Sequence, residues 1–399
     1  MITPKTKQCQ MRHENPLEKK RNHQIIPNSA FRIIKKERSI IMKKPEMTPR
    51  ERIISAINHE PTDRIPLDYW GVDEVTTALY KHYGAHDMLT LSQAMDLDKI
   101  MGVGAPMIAK NRLNVWNVEE RQVSVHDGAG VYSEPVCFPI GDFETIDEIE
   151  ANYEWPTTEM FDYSGIYQDC KRYKDAGYAI GGGYISLTYF YSCIRGIEQM
   201  LLDFAIDPEL ADYVLFKLNE FASAHTRKIL EAGDGLIDIT EVTDDFGSQH
   251  GLLMSPGMIE RYLGKYFDSN IAMAKQFGAK VFHHDDGDVM ELVPWIISKG
   301  CDILNPLQWH LPGWDLFKLK KDYGARLCFH GGIDNQDVLP FGSIDDIKTE
   351  VRACIDTLYS DNTGYILAPC HNIQANTPVE KVVAMYEYAK EYGVAKSRG

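Results

Sequence analysis

The segment KVFHHDDGDVMELVPWIISKGCDILN, residues 280–305, decides the fold. Lys280–His284 is a short apolar, β-forming run that stops abruptly in imidazoles and carboxylates. Val289–Ser298 then carries apolar residues at helical spacing and closes at Gly300, and Asp302–Asn305 reads as the next strand. Strand, helix and strand in so short a span make a βα unit. The same rhythm continues on both sides.

Upstream, Asp207-Pro208 opens a helix to about Ala232, followed by strand Leu236–Thr240 and a helix from Ser255-Pro256 to about Phe277. Downstream come helix Trp314–Asp322, strand Arg326–His330, helix Ile344–Leu358 and strand Tyr365–Ala368. A last helix opens at Thr377-Pro378-Val379-Glu380, which has the form of a capping box. Ile65–Tyr69 and Tyr178–Gly182 read as two earlier strands of the same kind. Seven or more such units predict an α/β fold, a single-domain (β/α)8 TIM barrel. Residues 105–155, rich in Trp, Pro, Asp and Glu, read as an insertion with antiparallel strand character. The barrel is expected over 42–399. Its globular part starts at a capping box with Pro at the first helical position, Thr48-Pro49-Arg50-Glu51.

The 399 residues carry a net charge of −16, unevenly spread. Residues 1–41 hold ten Lys and Arg against three Glu, a net +7 that leaves −23 on the remainder. So acidic a body argues against nucleic-acid binding. The basic segment 1–41 has only the isolated apolar pairs Ile25-Ile26, Ile33-Ile34 and Ile40-Ile41, so a secretory signal is not expected. It reads best as a disordered or non-native extension, with the true start at Met42 or Met47. The uncharged stretch Ala176–Ile194 contains Gly177 and Gly181-Gly182-Gly183 and reads as a buried strand and a tight βα turn near a ligand, not as a membrane span. Eight scattered cysteines without a CxxC pair read as reduced thiols of a cytoplasmic protein. No GxGxxG or GxxxxGK[ST] motif is present.

In a barrel of this kind, chemistry gathers where the strands end. Here five successive strand ends are polar: Glu241, Asp244, Asp245 and Gln249; His283 to Asp286; Asn305, Gln308 and Trp309; His330 and Asp334; and Cys370, His371, Asn372 and Gln374. Together they predict one cavity lined by acids, imidazoles and amides. His284 and Asp286, two apart on an extended segment, point the same way. An imidazole and a carboxylate form a competent Zn²⁺ half-site, with Cys370 or His371 supplying a third ligand and a fourth position left open. The competing reading has His284 and Asp286 bonded only to each other and the Gly287 turn.

The chain resembles the uroporphyrinogen decarboxylase superfamily from Thr48 to Gly393. The resemblance is carried by Thr48-Pro-Arg-Glu-Arg with Asp63-Arg64-Ile65-Pro66, by Asp244-Asp-Phe-Gly-Ser-Gln249, by Phe329-His-Gly-Gly-Ile-Asp334 and by Cys370-His-Asn-Ile-Gln-Ala-Asn-Thr-Pro378. It implies a (β/α)8 barrel and one of two chemistries: cofactor-free porphyrinogen decarboxylation, or zinc-dependent methyl transfer involving corrinoids. Where the decarboxylases carry Arg-Gln-Ala-Gly-Arg, this chain has Leu67-Asp68-Tyr69-Trp70-Gly71, without an arginine to clamp carboxylates. The methyltransferase pattern of His-x-Cys-Gly and a later Cys six residues before Thr-Pro falls on His284-x-Asp286-Gly287 and on His371. Both cysteines are thus replaced by harder donors, which suits an oxygen-bound methyl group better than thiol activation.

The resemblance implies a methyltransferase of the O-demethylase type. It would move a methyl group between a small methoxylated or methylated substrate and a corrinoid (methylcobalamin) carried by a partner protein. Its metal ligands would be His284, Asp286 and His371, with Cys370 as substitute. Glu241, Asp245 and Asp334 would be catalytic, and Tyr69, Trp70, Asn305, Gln308 and Gln374 would bind substrate. A homodimer is plausible, with no nucleic-acid or membrane partner. The alternatives are a metal-free decarboxylase or lyase on the same barrel, and a corrinoid- or tetrapyrrole-binding protein without turnover.

Overall fold

The computed structural model describes residues 47–125 and 128–397. The expectations for segment 1–41 and for a start at Met42 lie outside the described residues. Seven parallel strands form one curled sheet in sequential order: β1 (Met101–Val103), β2 (Ile180–Ser186), β3 (Ile239–Thr243), β4 (Lys280–His284), β5 (Ile303–Asn305), β6 (Cys328–Ile333) and β7 (Tyr365–Pro369). Helices connect most of them, the longest being Pro208–Ala232 and Pro256–Gln276.

The expected strand Ile65–Tyr69 is reduced to a single bridge, Leu67 with Leu367. Pro66 has no N–H to extend the ladder. The segment nevertheless completes the ring. On one side Asp68 N–H donates to the Leu367 carbonyl at 3.0 Å, and on the other Asp98 N–H donates to the Leu67 carbonyl at 2.8 Å. The helix Pro49–Ile57 closes the floor. Its Thr48–Glu51 capping box is formed, and Ile53, Ala56 and Ile57 pack on Ala179, Ile239, Ile303 and Cys328 near the strand starts. Buried Arg52 bonds both Asp63 and Asp98 and locks the plug in place.

Several expectations shift. β3 and β6 begin two to three residues later than their sequence patterns suggest, which places Glu241 inside a strand. At Thr377 no capping box forms, because its hydroxyl is buried without a hydrogen-bond partner among the described residues. Within 105–155, Glu119–Val125 and Gly130–Cys137 pair as an antiparallel hairpin.

Gly181-Gly182-Gly183 does not form a βα turn; it lies within β2. The register with β3 slips there, from Gly181 opposite Ile239 to Tyr184 opposite Glu241, so three steps on β2 match two on β3. Gly183 takes φ +85°, and a Cβ there would stand 2.5 Å from the Thr226 methyl carbon. Gly183→Ala is therefore expected to lower stability by about 1–3 kcal/mol, measurable as a lower urea midpoint with unchanged m-value. No helix among the described residues is long and apolar enough to cross a membrane. All seven described cysteines are free thiols.

Candidate active site

β4 delivers two histidines to opposite faces, as strand alternation requires. His283 turns outward with Asp285, whose carboxylate accepts the Phe246 and Gly247 N–H groups at 2.7 and 3.1 Å. His284 turns inward with Asp286. Its Nε2 lies 3.6 Å from Asp286 Oδ2, and His371 Nε2, two residues past β7, lies 3.9 Å from the same oxygen. His284, Asp286 and His371 can offer donor atoms that all lie within 4.8 Å of one another. A tetrahedral ion with bonds of about 2.1 Å holds neighbouring donors about 3.4 Å apart, close to these spacings. Asp286 Oδ1 is buried without a hydrogen-bond partner among the described residues, an orphan that an ion would satisfy. Two imidazoles and a carboxylate are an ordinary zinc donor set, so the residues fit the metal.

The charges are strongly coupled. Burial opposes protonation of His284, yet Asp286 and then Asp245 outweigh it and raise its pKa to about 9. Burial and the nearby His284 lower the pKa of His371. Asp245, half exposed, stands with Oδ1 3.8 Å from His284 Nε2, at the rim of the group.

Behind His284 runs a line of buried polar side chains. Its Nδ1 lies 2.6 Å from Asn305 Oδ1, and Asn305 Nδ2 lies 2.8 Å from His330 Nδ1. His330 Nε2 reaches Asp68 Oδ2 at 3.0 Å. Asp68 is fully buried, and it also receives the Trp70 indole N–H, the Tyr69 N–H and the Lys99 ammonium at 3.1, 2.8 and 3.2 Å. Although burial favours a neutral carboxyl, Lys99 and His330 hold Asp68 far below the usual carboxylate range.

Beside this line lies a cavity of about 530 Å³. It is lined by Trp70, Phe282 and Glu241, by the β2 glycines and by the aromatic rings of Trp116, Phe161 and Phe221. Trp70 joins cavity and candidate metal centre, its ring 5.8 Å from that of His284. Glu241 makes no hydrogen bond with a described residue, and burial raises its pKa despite the opposing charges of His284 and Lys99. It can therefore keep a proton at higher pH than an exposed glutamate and donate it to a bound oxygen.

Other expected site residues make local contacts. Asp334 accepts the N–H groups of Gln336, Asp337 and Val338 at 2.9, 3.1 and 3.0 Å, anchoring a turn. Gln308 accepts the Gly287 N–H and pins the loop after Asp286. Gln374 takes the Tyr132 hydroxyl at 3.0 Å, tying the hairpin to the last loop. Tyr69 is buried against Tyr386 with its hydroxyl on Thr76, away from the cavity. Asn305 is also fully buried, both ends of its amide used by the two histidines. Cys370 is turned from the group, its thiol 3.2 Å from the Leu307 carbonyl, so His371 and not Cys370 stands with His284. Sequence reasoning counted His330 among the polar strand ends lining the cavity but gave it no further role, and it assigned none to Asp68 or Lys99. The signal for Asp68 was a carboxylate directly following an apolar run, the same pattern that drew attention to other strand ends.

A parallel barrel with imidazoles and carboxylates converging at its strand ends defines a TIM-barrel enzyme architecture. The chain belongs to the uroporphyrinogen decarboxylase (URO-D) family, whose model matches residues 48–392. It is 22% identical over 368 residues to a uroporphyrinogen decarboxylase of Chlorobaculum tepidum, covering 86% of this chain and 98% of that protein. A uroporphyrinogen decarboxylase of Chlorobium limicola is 21% identical over 367 residues, with the same coverage of both chains. Among solved structures, a methyltransferase from Methanosarcina mazei superposes with a TM-score of 0.61 at 18% identity, covering 87% of this chain and 99% of that one. That likeness supports the fold.

Proposed function

We propose that this protein is a zinc-dependent methyltransferase of the O-demethylase type, working in the cytoplasm. It moves a methyl group between a small methoxylated or methylated substrate and a corrinoid carried by a partner protein. The observation that carries this reading is the donor group His284, Asp286 and His371 beside an aromatic cavity lined by the Glu241 carboxyl, which has no hydrogen bond among the described residues. A zinc ion held by these three residues would supply Lewis acidity toward an ether, phenol or alcohol oxygen.

The chain's own residues supply the rest. Trp70 and the aromatic wall bind and orient an apolar ring and exclude water. Glu241 delivers a proton to the oxygen that loses its methyl group. Asp245, solvent-accessible at the rim, relays a proton from bulk water to replace the one Glu241 gives up. Asp334, Gln308 and Gln374 hold the surrounding loops.

The decarboxylase reading has less support. Lys99 is the one lysine or arginine among the described residues lining the cavity, and it is already paired with Asp68. A polycarboxylate would find little to neutralise it. Incubation with a methoxy-aromatic compound and Co(I) cobalamin, followed by absorbance, tests the proposal. Zinc-dependent growth of the methylcobalamin spectrum is expected. Carbon dioxide release from a porphyrinogen without methyl transfer would support the rival reading, and binding without either reaction would leave a carrier.

A further inference from the structure

We infer that Asp68 is a positioning residue for the candidate metal centre: through His330 and Asn305 it holds the His284 hydrogen on Nδ1, so that Nε2, which faces Asp286 and His371, is the nitrogen a metal would take on displacing its proton. This rests on the metal role proposed above and extends it to a residue three links away.

The inference follows from what each group can donate or accept. Asp68 is surrounded by donors, namely the Lys99 ammonium, the indole N–H of Trp70 and the backbone N–H groups of Tyr69 and Ile100. Its carboxylate is ionised and only accepts. His330 Nε2, 3.0 Å away, must therefore carry a proton and donate it. His330 lies between Trp70 and Phe282, with ring centroids 5.5 and 5.2 Å away, where burial disfavours a second proton. Its Nδ1 is thus a bare acceptor, and the Asn305 group facing it at 2.8 Å must be the NH₂. That orientation turns the Asn305 oxygen toward His284 Nδ1 at 2.6 Å. An amide oxygen cannot donate, so His284 Nδ1 carries hydrogen and Nε2 is left for the metal. Reversing any single link would place two donors or two acceptors face to face in a site closed to water. The charge on Asp68 thereby sets the polarity of the whole line. The hydrogen bond to the second nitrogen of a ligating histidine commonly fixes its tautomer and orientation.

Two measurements test this: ¹⁵N-histidine NMR of the metal-free protein, which reads the His330 tautomer, and zinc affinity by competition with a chromophoric chelator. Wild-type protein is expected to show His330 protonated at Nε2. In Asp68→Asn the new amide can donate to His330 Nε2 and the line can reverse. The expected result is His330 protonated at Nδ1 and zinc affinity lowered roughly 10- to 100-fold. The double variant Asp68→Asn with Asn305→Asp keeps the net charge and gives His284 an acceptor that no longer depends on position 68. There His330 should stay reversed while zinc affinity returns to the wild-type level. A residue with a merely structural role would leave both variants equally weakened. A wild-type His330 protonated at Nδ1, or unchanged zinc affinity in Asp68→Asn, overturns the inference without need of the double variant. If the wild-type protein binds no zinc, the metal reading itself fails, and the His330 tautomer still decides the polarity of the line.

Discussion

Replacing His284 by alanine is expected to cut bound zinc from about one equivalent per chain to less than a few tenths, with methyl transfer falling by roughly 100-fold or more. The reason is geometric. His284 Nε2 is one of three donor atoms that lie within 4.8 Å of one another, 3.6 Å from Asp286 Oδ2, so its loss leaves only two ligands. Its removal also leaves the Asn305 carbonyl oxygen without its 2.6 Å partner. Outer-shell losses typically cost 10- to 100-fold in metal affinity, and removing a ligand from a three-ligand site should exceed that range. Metal analysis of the purified variant beside wild type is the measurement. Unchanged zinc content in His284→Ala would exclude the residue from the centre, and Cys370→Ala serves as the control that should retain metal.

Glu241→Gln should retain zinc yet lose roughly 10²- to 10⁴-fold in turnover, the range general acid catalysis usually supplies. The glutamine is isosteric and cannot release a proton. The pH dependence separates this role from simple binding. Glu241 has a raised pKa because it is buried, so its acid form persists above the ordinary glutamate range and is lost as pH rises through that raised value. Wild-type turnover should therefore fall on the alkaline side of that transition, and the variant should lack this limb. A variant with full activity, or with the same limb, would show that the proton comes from elsewhere, with Asp245 the next group to replace.

Legibility in the sequence followed the range of the forces involved. The βα rhythm could be read because helix caps, glycine stops and apolar periodicity are local, and β4 falls on the residues expected for it, Lys280–His284. The pairing of His284 with Asp286 was readable for the same reason, since two-residue alternation in a strand is a local rule. Where tertiary contacts set the outcome, local reading failed. Ile65–Tyr69 has a strand-like composition but makes only one bridge, because its neighbours across the barrel and Pro66 limit the ladder. The glycine run looked like a turn and lies in a strand, where small residues admit the cavity and the close approach of Thr226.

By itself the sequence determined the class of fold, the acidic character of the body and the two candidate ligands at the end of β4, since each depends on residues close together in the chain. Only the tertiary structure shows that His371 lies beside His284 and Asp286 while the Cys370 thiol turns to the Leu307 carbonyl, because a one-residue change of direction after β7 depends on what the loop packs against. Only it could join Asp68 to His330, 262 residues apart, and so reveal the buried line behind His284. Hydrogen bonds of that kind leave no periodic trace in the chain; they exist once the barrel closes and brings distant strand ends within 3 Å.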